Sequence, residues 1–155
     1  MRSGAIIYPL LANYANLTSI IPSSKIFAVR AEQPTSSGYI VYREVSSVPT
    51  NTKGDSSSIT ADPRITQRSL LDITTVQISI FADNYLTVEN AAVAVRQALD
   101  REWGAVSSPY TNDISLDSCV YDSCVDDYDD DFGDNGIYIK HLDFTLRINR
   151  LDISN

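Results

Sequence analysis

The sequence predicts an α+β domain, with one mostly antiparallel or mixed sheet of about four to five strands and two helices packed on it. From Ile73 to Phe81, β-branched apolar residues alternate with polar ones, as in a half-buried strand. A short polar turn and an Ala/Val/Leu-rich helical run follow, ending near Glu102. From Ile137 to Ile148 the alternation returns. A strand and a helix so close in sequence should pack apolar face on apolar face.

Composition limits the possible classes of protein. A chain of 155 residues with 43% hydrophobic residues is consistent with one folded domain over residues 1–155. The net charge of −8, from 20 acidic and 12 basic residues, argues against a surface that grips nucleic acid. It is compatible with a wall past which DNA slides.

The cysteines and the apolar segments suggest a cytoplasmically made protein without a membrane segment. Cys119 and Cys124 have no second pair, and the chain has one histidine, so we interpret both as free thiols in a reducing compartment. The apolar run at residues 5–12 is interrupted by Pro9 and is too short for a membrane span or a signal peptide.

The first third of the chain predicts a helix and two strands. Apolar residues recur at helical spacing from Gly4 to Leu17, and Pro9 either kinks this helix or places its start near Tyr8. Ile26–Arg30 and Tyr39–Val45 have the composition of strands.

Residues 46–69 form a long polar stretch without periodicity, which predicts a loop. It is either a flexible surface loop or an arm that becomes ordered against a neighbouring subunit. In the second case, Arg64, Gln67 and Arg68 are the expected contact residues.

The central helix has a clear apolar face. Thr87 is the predicted N-cap, with Glu89 in the first turn. Val88, Ala91, Ala92, Val95 and Leu99 share one face at helical spacing. The residues that we expect in the core are Val76, Ile78, Ile80, Val95, Leu99, Leu142, Phe144 and Leu146.

Residues 122–136 are an acidic connection between a weakly alternating strand at 114–121 and the last strand, with a turn at Asn135-Gly136. The acidic stretch is either a solvated hairpin end, a surface that meets a basic partner, or a calcium site. EF-hand spacing fails, because Phe132 and Tyr138 occupy the required glycine and glutamate positions. We therefore predict no dedicated metal. The candidate partner contacts are Asp126, Asp127, Asp129, Asp130 and Asp131.

Catalysis has no support in the sequence. His141 is the single histidine and lies on the polar side of a predicted strand, without an activated serine or cysteine motif nearby. Phosphate-binding and metalloprotease motifs are lacking. We expect no catalytic residue and no cofactor.

The order of elements resembles a known family. The segments that carry the resemblance are Lys25-Ile-Phe27, Gly38-Tyr-Ile-Val-Tyr42, Thr75-Val-Gln-Ile-Ser-Ile-Phe81, Ala91-Ala-Val-Ala-Val-Arg-Gln-Ala-Leu99 and His141-Leu-Asp-Phe-Thr-Leu-Arg147. Together they resemble the tail-completion proteins of long-tailed bacteriophages, also called tail terminators or head-to-tail joining proteins. The resemblance covers residues 4–149.

The resemblance implies a structural virion protein of the tail or neck, assembled in the host cytoplasm. Such a protein forms a hexameric ring on the head-proximal end of the tail tube, stops tube growth and allows joining to the head. Its partners are copies of itself, the tube protein and a neck or head-tail connector protein, while DNA passes through without specific binding. The alternatives are another neck or tail-tube component, or a calcium-binding interaction module that uses the acidic residues.

Overall fold

The computed structural model describes residues 2–32, 37–50, 71–105 and 114–150. In these ranges the helices are α1 (Arg2–Ala12), α2 (Ala15–Thr18) and α3 (Tyr85–Leu99). The strands are β1 (Ile26–Ala28), β2 (Tyr39–Pro49), β3 (Leu71–Ala82), β4 (Gly104–Ala105), β5 (Ile114–Asp129) and β6 (Ile137–Arg150).

The strands form one mixed sheet in the order β1-β2-β3-β6-β5-β4. β1 runs parallel to β2, and all other neighbours are antiparallel. The predicted α+β class with a mixed sheet and packed helices is confirmed. The described sheet has six strands because β4 adds a two-residue strand, too short to leave a sequence pattern.

The core lies between one face of the sheet and the helices. Val76 is paired with Phe144 and Ile78 with Leu142, and all four are at most 2% exposed. α3 packs on β3 and β6, while α1 packs on α3 and β2. All eight residues that the sequence places in the core are buried.

α3 begins earlier than predicted. Asn84 is the N-cap, because its side-chain Oδ1 accepts a hydrogen bond from the Leu86 amide at 2.8 Å. The assignment of Thr87 as N-cap is therefore wrong. The helix ends at Leu99 and does not reach Glu102, since Arg101 has a positive φ of 70°.

The N-terminal helix also differs from its prediction. α1 starts at Arg2 and includes Pro9, so a start near Tyr8 is wrong. The helical run is broken at Tyr14, whose backbone is extended and whose carbonyl accepts bonds from the amides of Leu17 and Thr18, both at 3.0 Å. This break accompanies complete burial of Leu17.

β2 extends into the region predicted to be loop. Residues 46–49 pair with residues 72–75 of β3, and the Ser47 and Thr74 hydroxyls lie 3.1 Å apart. Backbone pairing makes this segment a strand although its side chains are exposed. Residues 51–70, including Arg64, Gln67 and Arg68, lie outside the described residues.

β5 likewise extends into the predicted acidic connection. It continues to Asp129, so residues 122–129 are strand and only residues 130–136 connect β5 to β6. The register shifts at Asp117 and again at Asp122, which are β-bulges.

Phe144→Ala tests the packing of the buried face. Phe144 is fully buried, so we expect the free energy of unfolding to fall by about 3–5 kcal/mol in urea titrations. Phe81→Ala is the matched control, because Phe81 is half-buried on the opposite face and should cost less. A loss below about 1 kcal/mol for Phe144→Ala would mean that the faces of β6 are assigned wrongly.

Candidate functional site

The face of the sheet opposite the helices, here called the open face, carries a polar ladder. Arg43 Nε and Nη2 donate to Gln77 Oε1 at 3.1 and 2.6 Å. Gln77 Nε2 donates to Asp143 Oδ1 at 3.1 Å, and Ser123 Oγ donates to Asp143 Oδ2 at 3.2 Å. The ladder joins β2, β3, β6 and β5 in one row and fixes these side chains along the face.

His141 lies on the open face and has a polar partner there. Its Nδ1 is 2.7 Å from the hydroxyl oxygen of Ser79, which is 7% exposed. A hydrogen bond between neighbouring strands is the arrangement expected of a structural histidine, as the sequence suggested.

A pocket of about 350 Å³, here called the basic pocket, opens on this face. Its lining comprises Val29, Arg30, Ala31, Tyr39, Val41, Arg43, Ser79, Phe81 and His141. Among the described residues that line it, Arg30 and Arg43 carry charge and none is a carboxylate. Arg30 is exposed and makes no side-chain hydrogen bond or ion pair within the described part of the chain. In a chain of net charge −8, this pocket is a local concentration of positive charge.

The backbone at the rim of the basic pocket is strained. Val29 has φ 66°, a left-handed conformation that costs an L residue about 1–2 kcal/mol and is rarer for β-branched residues. The Val29 amide donates to the Tyr42 carbonyl at 2.8 Å, which holds the bend in place. The Val29 side chain is nevertheless 66% exposed.

The opposite edge of the sheet, at β5, is acidic. β4 pairs with β5 only at Ser115 and Leu116, so in the described ranges no strand covers the outer edge of β5 from Asp122 onward. An uncovered edge strand invites pairing with other chains, and charges along it oppose that pairing. The acidic residues along β5 therefore oppose pairing of its uncovered edge with a strand of another chain.

The five acidic residues predicted as contacts lie together at the end of the β5–β6 hairpin, and all five are exposed. Residues 126–131 are called the acidic hairpin end below. Of the five, only Asp126 has an ion pair among the described residues, 3.0 Å from Lys140 Nζ. The carboxylates of Asp127, Asp129, Asp130 and Asp131 have no cationic partner in the described ranges. Their role as contact residues stays a prediction.

Lys140 anchors the hairpin end and was not singled out from the sequence. Its side chain is 9% exposed and bonds to both Glu89 of α3 and Asp126 of β5. Burial lowers the pKa of Lys140, but the hydrogen bonds to Glu89 and Asp126 outweigh it and raise the pKa above its ordinary value. The sequence contained a signal for this role. Lys140 precedes Leu142 and Phe144 at two-residue spacing, so its side chain points to the same face of the strand as they do, the face covered by helices.

Tyrosines surround the acidic hairpin end, and sequence reasoning missed these too. The Tyr138 ring lies 4.9 Å from that of Tyr128 and 5.8 Å from that of Tyr85. The Tyr128 hydroxyl donates to the Asn135 carbonyl at 2.7 Å, and Gly136 has φ 71°, where a Cβ would overlap that hydroxyl. All three tyrosines are partly exposed, and tyrosine is enriched in protein interfaces.

A comparison with known protein families shows to which family this chain belongs. The sequence profile of the family described as tail completion protein gp17 matches residues 5–132. The chain belongs to this tail completion family. The resemblance inferred from the sequence is thus confirmed, and the chain is a structural tail protein of the bacteriophage type.

A solved structure has a similar fold. A chain in the virion of a native gene transfer agent particle is 15% identical to this tail completion protein, with a TM-score of 0.58. The similarity covers 94% of this chain and 92% of that chain. At 15% identity, this similarity shows only that the two chains share a fold. No curated protein matches the sequence.

Metal and membrane features give no further site. Residues 2–32, 37–50, 71–105 and 114–150 contain no group of three or more His, Cys, Asp or Glu side chains placed to hold a metal ion. None of the helices in these ranges has the length and apolarity needed to cross a bilayer.

The two cysteines of this tail completion protein should differ in reactivity. Burial and, to a smaller extent, the nearby Asp100 raise the pKa of Cys119 to about 12, whereas Cys124 is exposed. Because the thiolate is the reactive form, alkylation at pH 8 followed by mass spectrometry should label Cys124 in the folded chain and both residues in urea. Equal labelling rates without denaturant would show that β5 does not hold Cys119 in the core.

Lys140→Met should lower stability by about 2 kcal/mol at pH 8, because it removes charged hydrogen bonds to Glu89 and Asp126. The raised pKa means that the contribution of Lys140 is complete below its ordinary pKa of about 10.4 and is lost as the pH rises toward the folded value. The difference between wild type and variant in urea unfolding should therefore narrow at high pH. A difference that stays constant to pH 12 would contradict the ion-pair explanation.

Proposed function

We propose that this protein forms a ring, a hexamer of identical single-domain subunits, on the head-proximal end of the tail tube. The ring ends tube growth and allows the finished tail to join a head. Its partners are copies of itself, the tail tube protein and a neck or head-tail connector protein. DNA passes through the ring without specific binding, and the role requires no catalysis or cofactor. The protein is assembled in the host cytoplasm and remains in the tail or neck of the virion.

The observation that carries this proposal is the family match over residues 5–132. The geometry supports it, because the β1–β2 edge of the sheet carries the basic pocket and the β5 edge is acidic, and rings close through contacts between different surfaces of identical subunits. The net charge of −8 also suits a channel wall, since it repels the phosphate backbone and lets DNA move.

The predicted contact residues have separate roles in this proposal. Residues 46–69, with Arg64, Gln67 and Arg68, supply an arm toward a neighbouring subunit, although residues 46–49 belong to β2. The acidic hairpin end faces a partner surface.

Deleting the gene from a particle-producing strain tests the function. We expect filled heads and separate tails of irregular or excessive length in electron micrographs of the lysate, because tubes would neither terminate nor present a surface to the neck. Normal joined particles would refute the proposal. Heads without any tail structures would favour a tube component instead.

Complementation is the control for this experiment. The wild-type chain supplied from a plasmid should restore joined particles with tails of uniform length. Phe144→Ala supplied in the same way should restore them poorly if its instability removes the folded subunit.

A further inference from the structure

We propose that the basic pocket of one copy receives the acidic hairpin end of the next copy, forming the head-to-tail contact between subunits. This inference rests on the proposed ring and names the two surfaces that close it. The occupant of the pocket is therefore a second copy of this chain.

Charge complementarity selects this occupant. The pocket presents Arg30 and Arg43, and none of its described lining residues is a carboxylate. The hairpin end presents Asp127, Asp129 and Asp131, while the nearby Lys140 is already bonded to Glu89 and Asp126. Two copies with a net charge of −8 repel each other, and a contact that joins the positive patch of one to the negative patch of the other offsets this repulsion.

The apolar residues of the two surfaces also correspond. The pocket has apolar walls at Val29, Val41 and Phe81. The hairpin offers Val125, which is 58% exposed and lies on the same face of β5 as Asp127 and Asp129. An apolar contact beside charged residues is the usual composition of a protein interface.

Within one copy, two strands separate Arg43 from the acidic hairpin end. β3 and β6 lie between β2, which carries Arg43, and β5, which carries the acidic residues. With about 4.8 Å between neighbouring strands, β2 and β5 are held about 14 Å apart in one rigid sheet. Among the described residues, no carboxylate of the acidic hairpin end pairs with Arg30 or Arg43 of its own copy, so these pairs can form with a second copy.

The strained rim fits a surface that is completed by a partner. Strained backbone is concentrated at functional sites, where the surrounding structure holds it in place. Val29 is left-handed and exposed at the mouth of the pocket. A neighbouring hairpin would bury this side chain, which is otherwise left in water.

Charge reversal on each surface, and then on both, tests the contact. One variant carries Arg30→Glu with Arg43→Glu, another carries Asp127→Lys with Asp129→Lys, and a third carries all four changes. Sedimentation and light scattering across protein concentrations measure assembly, and electron microscopy identifies rings. Each two-residue variant should raise the concentration for half-assembly by about tenfold or more, and the four-residue variant should recover much of the loss. Salt should weaken wild-type assembly.

Matched controls separate this contact from general charge effects. Arg101→Glu and Asp117→Lys reverse the same charges at exposed positions away from both surfaces, and should leave assembly unchanged. Arg30→Glu alone avoids disturbing the bond between Arg43 and Gln77, so it should weaken assembly even if the paired change affects folding. Circular dichroism and thermal unfolding confirm that each variant is folded.

The same variants supplied to the deletion strain distinguish the contact from the function. Loss of joined particles with either two-residue variant, and recovery with all four changes, would support the contact in the assembled tail. If both folded two-residue variants form rings as wild type does, or if the four-residue variant recovers nothing, the contact is refuted, while plasmid rescue by wild type still upholds the tail function. Intact rings that lose only tube binding would also refute it, because the pocket would then serve another protein.

Discussion

Burial of one face of the sheet is the constraint from which the rest of the structure follows. Tyr42, Ile78 and Leu142 are aligned across β2, β3 and β6 and are closed off by α1 and α3. A register slip of one residue would move these side chains into water, so the register is fixed by hydrophobic burial. The adjacent row then brings Arg43, Gln77 and Asp143 into line on the open face. The core thus determines the geometry of the interaction surface.

The same burial explains which elements could be predicted from the sequence. β3, β6 and α3 have regular apolar patterns because each has one face in the core. β5 lacks such a pattern, since its bulge at Asp117 puts Leu116 and Cys119, three positions apart, on the same buried face. The end of β2 lacks it as well, because pairing with β3 and not side-chain burial makes residues 46–49 a strand.

The acidic hairpin end could be predicted from the sequence, whereas the basic pocket could not. The aspartates of the hairpin end are neighbours in sequence and are visible as a cluster. Arg30, Arg43 and His141 are far apart in sequence, and only the order of strands brings them to one pocket. Lys140 also depends on tertiary structure, because its partners come from α3 and β5. A cluster of residues that are neighbours in sequence can be recognised from the sequence alone. A pocket whose residues come from several strands can be recognised only once the fold is known.

Opposite charges at the two edges of one sheet also bear on symmetry. A contact between two copies of the same patch would place Arg30 beside its own equivalent or Asp129 beside its own equivalent, and like charges repel. A contact between unlike surfaces brings Arg30 to an acidic partner and leaves both surfaces available again on the outer sides of the pair. Further copies can then add in the same orientation, each rotated relative to the one before, until the last copy meets the first and the ring closes. The segregation of charge that opposes unwanted pairing at the β5 edge therefore also disfavours contacts between like patches, and in the proposed ring each copy uses its two unlike patches on two different neighbours.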